Sequence, residues 1–269
     1  MINGIAADIS KIANELRLPI FAHYSKYIKI ERPFEENLLD LLREQAVLAD
    51  NDRVKRRIRY AGFPIVKTLD SFEMSQERFP YLNLNELKEL ATCRFIEDKA
   101  DVVAIGPAGH GKTHTALAVG YEAVKRGYNV RFKRAIDLVN EMSEAKSEKR
   151  LSDYTRTLNR CKLLILDEIG YLPYDARASN FLFQIISARY ETASTFYTTN
   201  YEFSKWSQFI KDEDTVNAIV SRIAHHSVIL NMNGPKTWRL EHARSRLHGE
   251  QDACVRPASQ PRTDVNIDG

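Results

Sequence analysis

Residues 106–113 read Gly-Pro-Ala-Gly-His-Gly-Lys-Thr, a glycine-rich octapeptide between the apolar run 102–105 (VVAI) and the helix-forming run 114–126 (HTALAVGYEAVKR). Three glycines this close end a strand and free the backbone to curl, and helical composition resumes at once. A strand, a tight loop and a helix in that order leave few architectures open. The loop belongs at the C-terminal edge of a parallel sheet covered by helices. Curled there, successive N–H groups point into one concavity and the helix N-terminus adds positive potential, which makes a cradle for an anion. The spacing G-x-x-x-x-G-K-T is that of a triphosphate-binding loop. Gly106, Pro107, Ala108, Gly109, His110, Gly111, Lys112, Thr113 and the adjoining His114 are therefore the candidate nucleotide contacts. Lys112 is expected on the β/γ-phosphates and the Thr113 hydroxyl on Mg²⁺. The bland alternative, a chance glycine-rich turn, does not account for the matched strand and helix on either side. The expected ligand is ATP with Mg²⁺.

The rest of the chain supports a sheet of that kind. From Asp101 onward short β-rich runs alternate with helical ones. NVRFK (129–133) precedes a helical stretch 135–160, LLILD (163–167) a helix 176–192, and STFYTTN (194–200) two shorter helices before SVILNM (227–232). Strands separated by helices predict an α/β core with a mainly parallel sheet. The first ~95 residues carry no strand-like alternation. Ile5, Ile9, Ile12 and Leu16 recur at helical spacing up to Pro19. A second helix opens at Pro33, presents Leu38, Leu42, Ala46 and Ala49, and stops before Gly62. After the turn-rich stretch 67–72, Asn83 or Asn85 caps a helix through Leu87, Ala91 and Phe95. The expected organisation is a small all-helical region over 1–78, the α/β core over 79–248, and a disordered polar tail over 249–269.

Leu163-Leu164-Ile165-Leu166-Asp167-Glu168 is the natural companion of the loop. A buried strand delivers carboxylates at the sheet edge where open α/β folds bind ligands. Asp167 would hold Mg²⁺, and Glu168 could polarise an attacking water as general base. Two adjacent acids favour a hydrolase or switch over a small-molecule P-loop kinase, whose second substrate pocket is not visible. Asn200 ends a strand-like run and could reach the γ-phosphate, or it could serve as a turn or cap residue. Arg222, between apolar neighbours on a helix, could be a finger supplied to a neighbouring subunit or a surface ion pair. His225-His226 has no third ligand at metal spacing, and neighbours at i and i+1 do not share a helix face.

Composition adds exclusions. With 269 residues, 43% hydrophobic and 28% charged, the chain is of ordinary globular type. No apolar run approaches the ~20 residues a membrane helix needs. Three well-separated cysteines suit a reducing cytoplasm. Net charge is only +3, yet five of the seven residues 53–59 are basic: Arg53, Lys55, Arg56, Arg57 and Arg59. On a helix these cannot all share one face. They could bind the DNA backbone without reading sequence, or form a solvated face.

These motifs together resemble the IstB family of insertion-sequence ATP-binding proteins, AAA+ ATPases close to the DnaC-type helicase loaders. The resemblance spans roughly 10–247 and rests most specifically on RIRYAGFPIVKTLDSFEM (57–74) and DEIGYLPY (167–174). TTNYEFSKW (198–206) and IVSRIAHHSVILNMNGPKTWRL (219–240) extend it. It implies an AAA+ P-loop core without a full C-terminal lid, behind helices that engage DNA or a transposase. It also implies ATP-dependent homo-oligomerisation on DNA and assistance to the transposase in choosing and capturing its target. By matching position it makes Lys112 and Thr113 the loop pair, Asp167 and Glu168 the magnesium–base pair, Asn200 a sensor and Arg222 the finger. A DnaC-type helicase loader is the nearest alternative. His110, Ser221 and Lys133-Arg134 depart from residues the family commonly carries at those positions.

Overall fold

The computed structural model describes residues 2–69, 83–171 and 173–234. Five strands, β1 (Asp101–Ile105), β2 (Val130–Arg134), β3 (Leu163–Ile169), β4 (Ser194–Thr199) and β5 (Ser227–Asn231), form one sheet in the order β2-β3-β4-β1-β5. Every pairing is parallel, so the sheet is wholly parallel among the described strands. Parallel neighbours need crossovers, which the helices supply. Successive side chains of a strand point to opposite faces, so each apolar run serves two cores. Val102, Ala104, Leu163, Ile165 and Phe196 pack with α4 (Leu84–Ala91), α5 (Arg94–Glu97) and α6 (Lys112–Lys125). Val103, Ile105, Leu164, Leu166 and Tyr197 pack with α7 (Ala135–Ser147), α8 (Leu151–Asn159), α9 (Ala176–Arg189) and α10 (Glu213–His225). Burial of each such Val, Leu or Ile stabilises the fold by about 1.5–3 kcal/mol. That two-sided burial explains why these strands read as unbroken apolar runs.

Before β1 the described residues hold helices and turns only: α1 (Ile2–Glu15), α2 (Pro19–Ala22) and α3 (Phe34–Ala61) precede α4 and α5. α1 ends at Glu15, short of the stop expected at Pro19, and Pro19 is itself the first residue of α2. A proline fits a first turn because the N–H it lacks has no helical acceptor there. Pro33 sits one residue outside α3, as its N-cap. The inward face of α3 also differs from the expected Leu38, Leu42, Ala46, Ala49. Asn37 and Leu41 are buried while Leu42 is 51% exposed. The Asn37 amide sets this rotation: it accepts from the Lys29 N–H at 2.8 Å and donates to the carbonyls of Lys29, Arg32 and Pro33. A fully bonded polar side chain has displaced an apolar one inward. At the far end of α3, Val54, Ile58 and Ala61 join the core around α6.

Two expected single helices are broken. The stretch 135–160 divides into α7 and α8, with Lys149 at φ 59° between them. The stretch from Asn83 divides at Cys93 (φ 62°), which places Phe95 on α5. Asn83, not Asn85, is the cap, its side chain accepting from the N–H groups of Asn85 and Glu86. The expected boundary at 78, part of the 67–72 turn and the tail from 249 lie outside the described residues. Among the described residues no helix is long and apolar enough to cross a membrane.

Candidate nucleotide site

The strand order puts the end of β4 between the ends of β1 and β3. The phosphate loop leaves β1, the acid pair ends β3, and Thr198, Thr199 and Asn200 stand between them. The loop is held tightly. The Gly106 N–H donates to the Thr199 carbonyl at 3.2 Å, and the Met232 N–H donates to the Ile105 carbonyl at 2.7 Å. A Cβ on Gly106 would stand 2.6 Å from the Met232 carbonyl oxygen, so no larger residue fits without backbone movement. Gly109 and Gly111 both adopt φ 85°, a region that costs side-chain-bearing residues. Gly111 is the N-cap of α6, so the open N–H groups of that helix face the concavity.

Lys112 is 8% exposed. Its ammonium donates to the carbonyls of Gly106 (2.6 Å) and Pro107 (2.8 Å) and to Asn200 Oδ1 (2.8 Å). Residues 88 positions apart thus meet at one charge. The three acceptors occupy the donors that an incoming phosphate would claim. Asn200 lies one residue beyond β4 and is exposed, its amide oxygen meeting the Lys112 ammonium at the loop.

The Thr113 hydroxyl donates to Asp167 Oδ1 at 2.8 Å, and Asp167 is 3% exposed. A hydroxyl beside a buried carboxylate suits Mg²⁺, which takes one or two protein oxygens and keeps waters and phosphate oxygens for the rest. No cluster of three or more His, Cys, Asp or Glu that could hold a metal ion occurs among the described residues. Next to Asp167 the strand bulges: Leu166 pairs with Tyr197, but Ile169 pairs with Thr199. Glu168 takes φ 61°, which costs a non-glycine residue about 1–2 kcal/mol, and its side chain is exposed. The Thr198 hydroxyl meets both acids, accepting from the Glu168 N–H at 2.9 Å and donating to Asp167 Oδ1 at 2.5 Å. Thr198 belongs to no catalytic sequence motif. The only hint was a second hydroxyl residue in Thr198-Thr199-Asn200, where a buried strand would favour an apolar one.

Other candidate residues lie elsewhere. The His110 ring, 1% exposed, sits with Nε2 2.9 Å from the Gly234 carbonyl and Nδ1 3.4 Å from that of Ala108. Its ring ties the loop to the residues after β5. His114 turns toward Lys67 and the Thr68 backbone; burial and then Lys67 push its pKa down to about 4, against the Thr68 hydrogen bond. Arg222 donates to the Ala218 carbonyl at 2.8 Å and lies over the Phe183 ring, within its own α10–α9 packing. His225 Nδ1 lies 3.0 Å from the Tyr190 hydroxyl, and His226 Nε2 3.3 Å from the Asp98 carbonyl. On α3, Arg53, Lys55, Arg56 and Arg59 are exposed. Arg57 is half-buried, its guanidinium 3.8 Å from where a Cβ on Gly127 would stand, because Val54 and Ile58 turn that side of the helix inward.

A parallel sheet in this order, with a phosphate loop after β1, an acid pair closing β3 and an asparagine after β4, defines an AAA+ P-loop nucleotide-binding protein. The family model described as IstB-like ATP binding protein matches residues 19–246, and the chain belongs to that family. The ATP-binding protein named for insertion sequence IS5376 of Geobacillus stearothermophilus is 32% identical over 249 residues, covering 91% of this chain and 98% of its own. Among solved structures, AMPPCP-bound DnaA from Aquifex aeolicus superposes with a TM-score of 0.54 at 22% identity, covering 70% of this chain and 57% of that one. The DnaC helicase loader gives 0.50 at 22% identity, covering 61% and 95%. These likenesses establish the fold.

Proposed function

We propose that this chain is an ATP-hydrolysing switch that self-associates on DNA and helps a transposase select and capture its target. The convergence of Lys112 with Asn200, and of Thr113 with Asp167, carries the nucleotide half of this reading. The N–H groups of 108–113 and the Lys112 ammonium grip the triphosphate, while Thr113 and Asp167 would hold the Mg²⁺. The bound ion would neutralise charge on the phosphate oxygens. Glu168 takes a proton from a water whose oxygen attacks the γ-phosphorus. The bond from that phosphorus to the β–γ bridging oxygen breaks, and ADP and inorganic phosphate leave. Asn200 then senses whether a γ-phosphate is present, through the same amide that now accepts from Lys112.

Insertion-sequence relatives support the transposition setting. The exposed Arg53, Lys55, Arg56 and Arg59 supply the DNA contact, with Arg57 more a packing residue than a phosphate ligand. Arg222 acts in trans on a neighbouring copy's nucleotide, since its own packing is with α9. The region over 1–78 holds the DNA and partner surface, and the reaction takes place in the cytoplasm.

The decisive experiment is ATP turnover with and without duplex DNA, in wild type and Glu168→Gln. Wild type should hydrolyse ATP, and the variant should bind it without turnover. A variant that hydrolyses normally removes Glu168 from the chemistry, and a wild type that never releases phosphate ends the hydrolase reading. For the DNA half, four neutralised phosphates predict that log K falls with log salt at a slope of about −3.6. Replacing the four exposed basic residues by Ala should flatten that slope.

A further inference from the structure

We infer that Thr198 is the positioning residue of this site, its hydroxyl clamping the bulge that carries Asp167 and Glu168. The inference deepens the hydrolysis proposal and rests on it for the role of Glu168. Three observations carry it. First, β4 lies between β3 and β1, so Thr198 occupies the one strand that touches both halves of the site. Second, β3 holds one residue more than β4 between the Leu166–Tyr197 and Ile169–Thr199 pairs, and the extra length falls at the two acids. A bulge re-aims side chains, and here it turns Asp167 inward and leaves Glu168 exposed. Third, a single fully buried hydroxyl, Thr198 Oγ1, donates to the Asp167 carboxylate and accepts from the Glu168 N–H.

The division of labour with Thr113 follows from chemistry. Both hydroxyls now donate to Asp167 Oδ1. Thr113 heads α6 beside the phosphate cradle, and its oxygen is the one an ion and a phosphate would engage. Thr198 is fully buried on its strand, and of the two hydroxyls its bond to Asp167 is the one that persists through the cycle. It fixes which carboxylate oxygen faces the ion, and its hold on the Glu168 N–H keeps the bulge from relaxing to a regular ladder. In a regular ladder the Glu168 side chain would change faces.

Thr198→Val removes the hydroxyl at nearly constant volume, and Thr198→Ser keeps it. Partners of this kind typically affect metal affinity or activity by about 10- to 100-fold. The Val variant should therefore show kcat lowered by about 10- to 100-fold with KM changed less than about 3-fold. The Mg²⁺ concentration that half-saturates binding of a fluorescent ATP analogue should rise by about 10-fold. The Ser variant should stay within about 3-fold of wild type on both readouts. A Val variant with wild-type kcat and Mg²⁺ dependence overturns the inference. So does a Ser variant as impaired as Val, because packing and not the hydroxyl would then be at work. The Mg²⁺-dependent binding assay needs no turnover. It therefore tests the hold of Thr198 on Asp167 even if the wild type fails to hydrolyse ATP, an outcome that would end the hydrolase reading and with it the role of Glu168. Should Val not fold, Thr198→Ala against Ser reads the same contrast.

Discussion

Arg189 closes α9 and is 1% exposed, a full charge taken out of water. Its guanidinium donates through Nε to the Thr195 hydroxyl (3.0 Å) and through Nη2 to the Ser194 carbonyl (2.6 Å). Through Nη1 it donates to the carbonyls of Leu158 (3.3 Å) and Cys161 (3.2 Å). One side chain thus pins the end of α8, the turn into β3 and the start of β4. Replacing it with Met keeps much of the length and takes a donor from three buried carbonyls, of which that of Leu158 keeps the Cys161 N–H and thiol. Each orphaned acceptor costs about 1–3 kcal/mol. Against that stands the desolvation of the lost charge, several kcal/mol recovered. The partners are neutral oxygens, so no opposite charge is left unpaired; hydrogen bonds from a charged donor contribute about 1.5–3 kcal/mol each, and after the recovered desolvation a net loss of about 3 kcal/mol is expected for Arg189→Met.

Urea unfolding of both proteins at pH 8, followed by circular dichroism, measures the loss. A decrease below about 1 kcal/mol would mean that burying the guanidinium costs nearly all that its bonds return, and would refute the staple. The same variant tests a spatial claim. Arg189 serves the N-terminal ends of the strands, whereas the nucleotide loop sits at their C-terminal ends. At a temperature where Arg189→Met is folded, its ATP affinity should match that of wild type. A folded variant with weakened ATP binding would contradict the separation.

Asp101, at the start of β1, is expected to make stability fall as pH rises. Burial pushes its carboxyl up to about 7, against the pull of the Thr195 N–H, Arg189 and His226, with the Tyr197 hydroxyl also nearby. The folded protein therefore holds a proton that the unfolded chain releases near pH 4, and this contribution is present in acid and lost by about pH 7. Asp101→Asn keeps an oxygen for the Thr195 N–H, so its Tm advantage should grow from pH 5 to pH 8; a constant difference refutes the assignment. Gly106→Ala should weaken ATP binding by about 10-fold or more, roughly 1.4 kcal/mol, because the new Cβ meets the Met232 carbonyl. Unchanged affinity in a titration would show that the loop tolerates the shift. In a Cys254→Ser background the remaining thiols, Cys93 and Cys161, should react with a disulfide reagent only through opening of the fold. Both are buried, and burial pushes Cys93 up to about 11 against the pull of Arg126; rapid labelling of the native protein would contradict that.

What could be read from residue order is set by how local each cause is. Runs such as 102–105 and 163–166 announce buried strands because both their faces meet helices, and no partner need be known to see it. The phosphate loop is equally local, since its glycines serve conformations of the loop itself. Breaks between helices are less visible. Lys149 and Cys93 take left-handed φ without being glycine or asparagine, so the divisions at α7–α8 and α4–α5 carry no punctuation. The rotation of α3 depends on Asn37 bonding to residues up to eight positions back, and periodicity alone scores a polar residue as outward.

The site divides in the same way. Lys112, Thr113, Asp167 and Glu168 are legible because each is tied to a short motif with a fixed neighbour. Asn200 is legible only as the end of a strand, and its meeting with Lys112 needs the strand order, which brings β4 beside β1 across most of the core. Thr198 needs more still: the strand order, the register shift and the direction of one hydroxyl. Its importance grows as its legibility falls, because a residue that acts by holding two others carries no reactive group of its own. A phosphate loop and an acid pair occur in many proteins; in this one the strand between them fixes the two carboxylates relative to the loop. The hydroxyl of Thr198 is therefore the sharper test of whether this sheet is arranged for turnover or only for binding.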